Sequence, residues 1–465
     1  MKSKLIFTAI TCAIFCGASA RDIDLEKHVR TYWTCYKNKN ISIGNGDKRW
    51  PLTPELKAER LRHFTAMMER FAPDHITEAQ KIDRIFGWES GTYLATLRFG
   101  QKLSDRVPTP APDHECTSWI SMDNLTGGKS IIMHKNRDSG RQALTLLRRA
   151  MPGKHAWIGS GAQNSFYPAQ GINDRGVVVM MNSGDPHPEA ENSQYGMDTI
   201  MICRILLEEC GSAEAAVNLL KKIVMDNAYT HVECGSIWFI GDSKNVYIAE
   251  HNARRIAVKA VESGFAIRAN AFHYPEMQIF SLRSQKDLLS HSSREFAVRD
   301  YLINRQWRRN GVVTALDNAA ASRLNQAGVD GQCYPPCGKN TISATTFVID
   351  KEYPEYLSTA YMTFSSPAST CYLPVPLTVK DIPQEILDGS FSLKSFALLD
   401  KNASLLPPDE LAALEMRLYE RHTAAIEKAR FLLRTGTASN VPNEVANILN
   451  QAFAENFQDI RKTVK

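Results

Sequence analysis

The sequence has little net charge, +5 over 465 residues, and no long run of lysine or arginine. That balance argues against a nucleic-acid partner. After the first twenty residues no segment reaches about 18 unbroken apolar residues, so stable membrane insertion is not expected. There is no H-E-x-x-H helix. The Cys-x-x-x-Cys pair, Cys333 and Cys337, stands without a second pair at ligand spacing, which weakens a zinc reading. The local cysteine signature of papain-type proteases is missing. Gly171-Ile172-Asn173-Asp174-Arg175-Gly176 lacks the lysine and the following helix of a phosphate loop. No internal repeat and no low-complexity tract occurs. Neither metal nor organic cofactor is expected.

The sequence is 43% hydrophobic and carries ten cysteines. That is enough for a sizeable core, and the length allows two or three domains or one large domain with appendages. Residues 1–20 read as a signal peptide. Lys2 and Lys4 form the basic start, Leu5 to Phe15 the short apolar stretch, and Ala18-Ser19-Ala20 the small-residue cleavage site. Bulky Phe15 before Cys16 argues against a lipoprotein signal. Cleavage after Ala20 and a secreted or periplasmic location are the expectation. Export permits disulfides, and Cys333 and Cys337 flank a tight Tyr-Pro-Pro loop that one can close.

Residues 21–115 have a helical character of their own. Thr53-Pro54 is a cap and early proline, followed by Leu56, Leu61, Phe64, Met67, Met68 and Phe71 at helical spacing. Further helices are expected over Ala79 to Trp88 and Tyr93 to Leu103. The run from Val107 to Pro112 is proline-rich and extended, a plausible exposed boundary.

Beyond it the pattern turns to strands. Ser118 to Met122 and Ser130 to Lys135 flank a turn at Asn124 to Gly128. Gly176 to Met181 reads as a strand buried on both faces. Helices follow over Met197 to Glu209 and, capped by Ser212, through Ile223. Hairpins are expected for Ser236–Ile240 with Asn245–Glu250, for Ile256–Val261 with Phe265–Ala269, and for Ser343–Ile349 with Tyr356–Phe364. Residues 381–465 are a helical extension with helices at Pro408 to Arg434 and Glu444 to Thr463. Helices between runs of hairpins predict an α+β fold with mostly antiparallel sheets.

Cys116 sits directly behind the proline-rich linker. If the chain is cut before it, it becomes an N-terminal residue that carries its own base. A free α-amine titrates at roughly 7.7–8.0, near enough to neutral pH to accept the thiol proton and return it to a leaving amine. Asn182 closes a buried apolar run, where a side-chain amide can donate to an oxyanion, although the turn-rich residues after it also suit a plain turn asparagine.

Four motifs occur in one order. They are Cys116-Thr117-Ser118, the strand ending in Asn136-x-Asp138, Gly171-Ile172-Asn173-x-x-Gly176-Val177 running on to Asn182, and Ala269-Asn270. Together they resemble the N-terminal-nucleophile hydrolases of the choloylglycine hydrolase and acyl-CoA:6-aminopenicillanic acid acyltransferase group. The Cys-Thr-Ser start behind a helical segment is also similar to acid ceramidase and N-acylethanolamine amidase. The resemblance covers roughly Cys116 to Pro374 and implies a four-layer αββα domain over 116–380.

It further implies autoproteolysis between Glu115 and Cys116, with residues 21–115 as a pro-segment that is able to stay bound as a small subunit. Cys116 would be the nucleophile, Asp138 the holder of its amine, and Asn182 and Asn270 the oxyanion side. Arg294 would support the nucleophile's surroundings. The family often has arginine where this chain has Lys135. Arg137 is the neighbouring cation, on the strand face opposite Asp138. Both are candidate substrate-binding residues. The expected reaction is hydrolysis of a linear C–N amide bond in a small molecule, through a thioester on Cys116. The rival readings are acyl transfer through the same thioester, a dipeptidase of the same fold, and a non-catalytic secreted protein with Cys116 in a disulfide. The sequence leaves self-association open.

Overall fold

The computed structural model describes residues 24–33, 41–43, 53–99, 101–103, 116–186, 196–229, 234–281, 285–324, 336–338, 340–400 and 406–464. The expected signal peptide, the proline-rich linker, Glu115, Cys35 and Cys333 lie outside them.

The described chain opens with α1 (Leu25–Tyr32) and β1 (Ile41–Ile43). Next come α2 (Pro54–Phe71), α3 (Pro73–Phe86), α4 (Thr92–Phe99) and β2 (Gln101–Leu103), which pairs with β1. The Thr53 side chain accepts from the Leu56 amide ahead of Pro54, the cap read from the sequence. The strands β3 (Cys116–Ser121), β4 (Ser130–Asp138), β5 (Leu144–Arg149), β6 (Trp157–Ala162), β7 (Pro168–Asn173) and β8 (Val178–Pro186) follow. Then come α5 (Thr199–Glu209), α6 (Ala213–Met225), β9 (Cys234–Gly241), β10 (Val246–His251), β11 (Ile256–Ala260) and β12 (Phe265–Arg268). After these, α7 (Gln285–Arg299) runs into a π-helical turn at Asp300–Trp307 and is followed by α8 (Ala315–Ala321). The remainder is β13 (Thr341–Asp350), β14 (Thr359–Met362), β15 (Leu373–Pro376), α9 (Ser390–Asp400), α10 (Pro408–Thr435) and α11 (Val441–Arg461).

Two antiparallel sheets stack face to face. One has seven strands in the order β11-β10-β9-β8-β7-β6-β5, the other six in the order β12-β3-β4-β13-β14-β15. The main core lies between them, with Ile120, Met133 and Phe347 from one sheet against Ile172, Met180 and Phe239 from the other. Helices α5 and α6, together with α1 to α4, cover the outer face of the seven-stranded sheet through Trp157, Val179 and Trp238. The outer face of the six-stranded sheet meets α7, its π turn and α8 through Trp119, Ile267 and Ala344. Helix, sheet, sheet and helix give the four-layer αββα arrangement. Helices α10 and α11 seal the core with Leu414, Leu418, Phe453 and Phe457, beside β15.

One expected hairpin does not form. β11 pairs with β10 in the seven-stranded sheet, whereas β12 pairs with β3 in the six-stranded sheet. The turn at Glu262-Ser263-Gly264 is therefore a crossing between sheets. Its local signal is identical to that of a hairpin turn, and only the partners differ. Conversely, β5, β6 and β7 are strands that the sequence pattern does not announce.

The Gly171-Ile172-Asn173 motif has a structural task. Asn173 is fully buried and its Oδ1 accepts from the amides of Arg175 and Val177. Its Nδ2 donates to the carbonyls of Leu207 and Cys210, pinning the end of α5 to the β7–β8 turn. Gly176 closes that turn at φ +75°, with Pro354 2.9 Å from where a Cβ would stand.

The N-terminal helices are joined to the sheet by a buried charge network. Glu78 of α3 accepts from Arg149 of β5 and from Arg204 of α5 at 2.8 Å. His75 Nε2 lies 2.7 Å from Glu208, which also accepts from Arg204. Burial alone would raise the Glu78 carboxyl, but Arg149 and Arg204 hold it down at about 2. His75 is pushed below its ordinary value by burial and by Arg204, and so is neutral.

Candidate active site

Cys116, Asn182, Asn270 and Arg294 meet at one end of the space between the sheets. Cys116 opens β3, 5% exposed. Its backbone nitrogen donates to Asn270 Oδ1 at 2.8 Å. Its carbonyl accepts from Arg294 at 3.0 Å. The same guanidinium donates to Thr117 Oγ1 and Asn270 Oδ1, both at 3.3 Å, and to Nδ1 of His291 one turn back on α7. Arg294 is 1% exposed, so it holds the backbone of Cys116 and the side chain of Asn270 as one unit. An acceptor at His291 Nδ1 places that ring's proton on Nε2.

Asn182 and Asn270 clasp the two sheets reciprocally. Asn182, on β8, donates from Nδ2 to the carbonyls of Arg268 at 3.1 Å and Ala269 at 2.9 Å. Asn270 donates from Nδ2 to the carbonyl of Ser183 at 2.7 Å. Ser118 Oγ donates to Asn182 Oδ1 at 2.7 Å. Beside them Glu295 accepts from the Ala269 amide at 2.8 Å and contacts His273 Nε2 at 3.1 Å. Asn182 thus spends both amide protons on backbone carbonyls of Arg268 and Ala269, just ahead of Asn270.

Asp138 ends β4, 8% exposed, and accepts from Thr341 Oγ1 at 2.6 Å. Lys135 is buried and donates from Nζ to the Met181 carbonyl on the opposing sheet. Burial lowers its amine below the ordinary lysine value, while the neighbouring Cys116 draws it upward. Arg137 is half-buried and stands directly opposite Cys116 in the β3–β4 register. All of these candidates are brought to one region, apart from Glu115, which lies outside the described residues.

The thiols of Cys116, Cys203, Cys210, Cys337 and Cys371 are free, and no disulfide joins two described residues. The expected loop-closing bridge is not seen at Cys337, whose Sγ lies 3.8 Å from Ser366 Oγ. Burial pushes the Cys203 and Cys210 thiols up to about 12.

Sequence reasoning left several participants without a role. Ser118 shares the inward face of β3 with Cys116, a period-two relation visible in the sequence. His291 precedes Arg294 by three residues, the spacing of one helix face. Gln170 Nε2 bonds Thr345 Oγ1 across the two sheets at 3.1 Å, and nothing local marks that pair.

Two stacked antiparallel sheets between helical layers, with a cysteine opening an inner strand, make this an N-terminal-nucleophile hydrolase fold. Within that class, residues 126–323 match the family model described as acyl-coenzyme A:6-aminopenicillanic acid acyl-transferase. The match supports, over those residues, the resemblance read from the motifs. The matched stretch holds Asp138, Asn182, Asn270 and Arg294 and begins downstream of Cys116. No curated protein matches the chain in sequence.

Solved structures that align with it include the Caenorhabditis elegans ortholog of N-acylethanolamine-hydrolyzing acid amidase. It is 12% identical with TM-score 0.36, over 52% of this chain and 98% of that one. A mutant conjugated bile acid hydrolase from Clostridium perfringens is 12% identical with TM-score 0.35, over 58% and 94%. Penicillin V acylase from Agrobacterium tumefaciens is 14% identical with TM-score 0.34, over 57% and 86%.

Proposed function

We propose that this chain is an exported, self-processing cysteine amidohydrolase acting on linear amides. The observation that carries the reading is the double hold on Cys116, its nitrogen on Asn270 Oδ1 and its carbonyl on Arg294.

In processing, the Cys116 sulfur adds to the Glu115 carbonyl. The Glu115–Cys116 C–N bond breaks, giving a thioester and a free α-amine. Water then releases the Glu115 carboxylate and regenerates the thiol. In turnover the α-amine takes the thiol proton and the thiolate adds to the substrate carbonyl. The proton passes to the departing amine as the C–N bond breaks, and water hydrolyses the remaining thioester. Donors near Asn182 and Asn270 would stabilise the oxyanion. Asp138 would orient the α-amine and stabilise the ammonium that forms once it has taken the thiol proton.

The match to an acyltransferase family favours a second reading, in which an amine rather than water resolves the thioester. The apolar start of the chain supports export. The buried bonds from Glu78 to Arg149 and Arg204 support a pro-segment that stays attached after cleavage.

The test is mass spectrometry and N-terminal sequencing of the purified protein and its variants. A fragment starting at Cys116 is expected. Cys116→Ala should neither process nor turn over, and Cys116→Ser should process slowly. Full activity from an uncut chain would overturn the proposal.

A further inference from the structure

We propose that Thr341, presented by a bulge in β13, is the residue that positions the Asp138 carboxylate. The inference rests on the reading in which Asp138 orients the α-amine of Cys116.

From Asp350 back to Ser343, β13 runs in unbroken register against Ser130 to Arg137 of β4. One step further, that register would set Ile342 opposite Asp138. A bulge intervenes, and Thr341 stands there instead. Ile342 is buried in the main core. One extra residue in the strand thus replaces an aliphatic neighbour of the carboxylate by a hydroxyl. Bulges next to active sites re-aim a side chain in this way.

The direction of the bond is fixed. Thr341 is buried, and its Oγ1 accepts from the Gly338 amide at 2.9 Å. A threonine hydroxyl has a single proton, and this one goes to Asp138 Oδ1 at 2.6 Å. That separation is characteristic of a hydroxyl donating to an ionised carboxylate.

The segment leading into β13 is itself anchored to β4. Asn136 stands two places before Asp138, on the same face of the strand. Its Nδ2 donates to the carbonyls of Ser322 at 2.8 Å and Pro336 at 2.9 Å, and its Oδ1 lies 2.9 Å from His134 Nε2. The Ser139 amide donates to the Asn340 carbonyl at 3.1 Å, and the Thr341 amide donates to that of Gly338 at 3.1 Å. The hydroxyl therefore approaches the carboxylate from a frame held on both sides.

Asp138 is the last residue of β4, and Cys116 is the first of β3, paired with Arg137. Both stand at the same end of that ladder. A strand-end carboxylate meant to meet an amine must keep one orientation, and the Thr341 bond selects it. Thr341 acts only through Asp138, as a positioning residue.

The test is a double-mutant cycle on kcat, counted per chain that begins at Cys116. It uses wild type, Thr341→Val, Asp138→Asn and the double variant. Thr341→Val keeps the shape and removes the donor, so kcat should fall about tenfold or more with KM little changed. Thr341→Ser should recover most of the loss. Thr341→Val should still be cut before Cys116, since no α-amine exists until then. Added to Asp138→Asn, it should cost no more than about twofold further, because nothing is left to position. Additive losses would make Thr341 a general support of the strand end and overturn the proposal. So would wild-type kcat or an uncut chain in Thr341→Val, or equal impairment in Thr341→Ser. The underlying reading fails differently, with Asp138→Asn keeping wild-type kcat or staying uncut.

Discussion

The backbone nitrogen of Cys116 donates to Asn270 Oδ1 at 2.8 Å, joining residues 154 apart in the chain. The bond sets the direction of the group that cleavage would turn into an α-amine. Arg294 shares the same acceptor and so couples α7 to that direction.

Asn270→Ala removes this acceptor and the donor to Ser183. Misplacing a reacting group by about 1 Å lowers turnover roughly 10²-fold. A kcat reduced by about that factor is expected, with slower appearance of the Cys116 N-terminus. Wild-type kcat in the variant would separate Asn270 from the chemistry.

Asn182→Ala should harm the fold as well as turnover. The variant leaves the carbonyls of Arg268 and Ala269 and the Ser118 hydroxyl without their partner. Each unsatisfied buried group costs about 1–3 kcal/mol. A clear drop in the denaturation midpoint is expected alongside reduced kcat. Reduced kcat with an unchanged midpoint would instead mark Asn182 as a direct oxyanion donor.

Acid should loosen the N-terminal helices. Glu78 titrates at about 2 in the fold against 4.5 ordinarily, so its contribution is present above about pH 4.5 and lost as pH falls toward 2. His28, His134 and His422 are held neutral by burial, at about 4, 3 and 4 against 6.5. The unfolded chain binds their protons first, so stability also declines below about pH 6.5. Glu78→Ala leaves Arg149 and Arg204 buried without their counter-ion and should cost about 3–5 kcal/mol. Urea midpoints from pH 8 to 3 check both statements, together with co-purification of the N-terminal fragment. A midpoint that rises on acidification would contradict them.

Much of the helical structure was legible because its signals are local. Ser212 caps α6 and Asp198 caps α5 through adjacent backbone amides. The missed strands have a physical reason. β6 and β7 contain Gly159, Gly161 and Gly171, which weaken any strand pattern. A Cβ on Gly159 would stand 2.5 Å from the Gln170 carbonyl oxygen, and one on Gly171 would stand 2.7 Å from that of Ile158. These glycines allow close strand approach, a requirement set by the neighbouring strand rather than by the segment itself.

By itself the sequence determined the order of motifs, the cysteine behind a proline-rich run, and the alternation that separates Arg137 from Asp138. Each depends on neighbours within a few residues. Tertiary structure alone decided that residues 262–264 cross between sheets, that Arg137 stands opposite Cys116, and that Asn182 bonds the carbonyls just ahead of Asn270. Those outcomes depend on which distant strands pair and in what register, and that choice is made by burying both sheet faces at once.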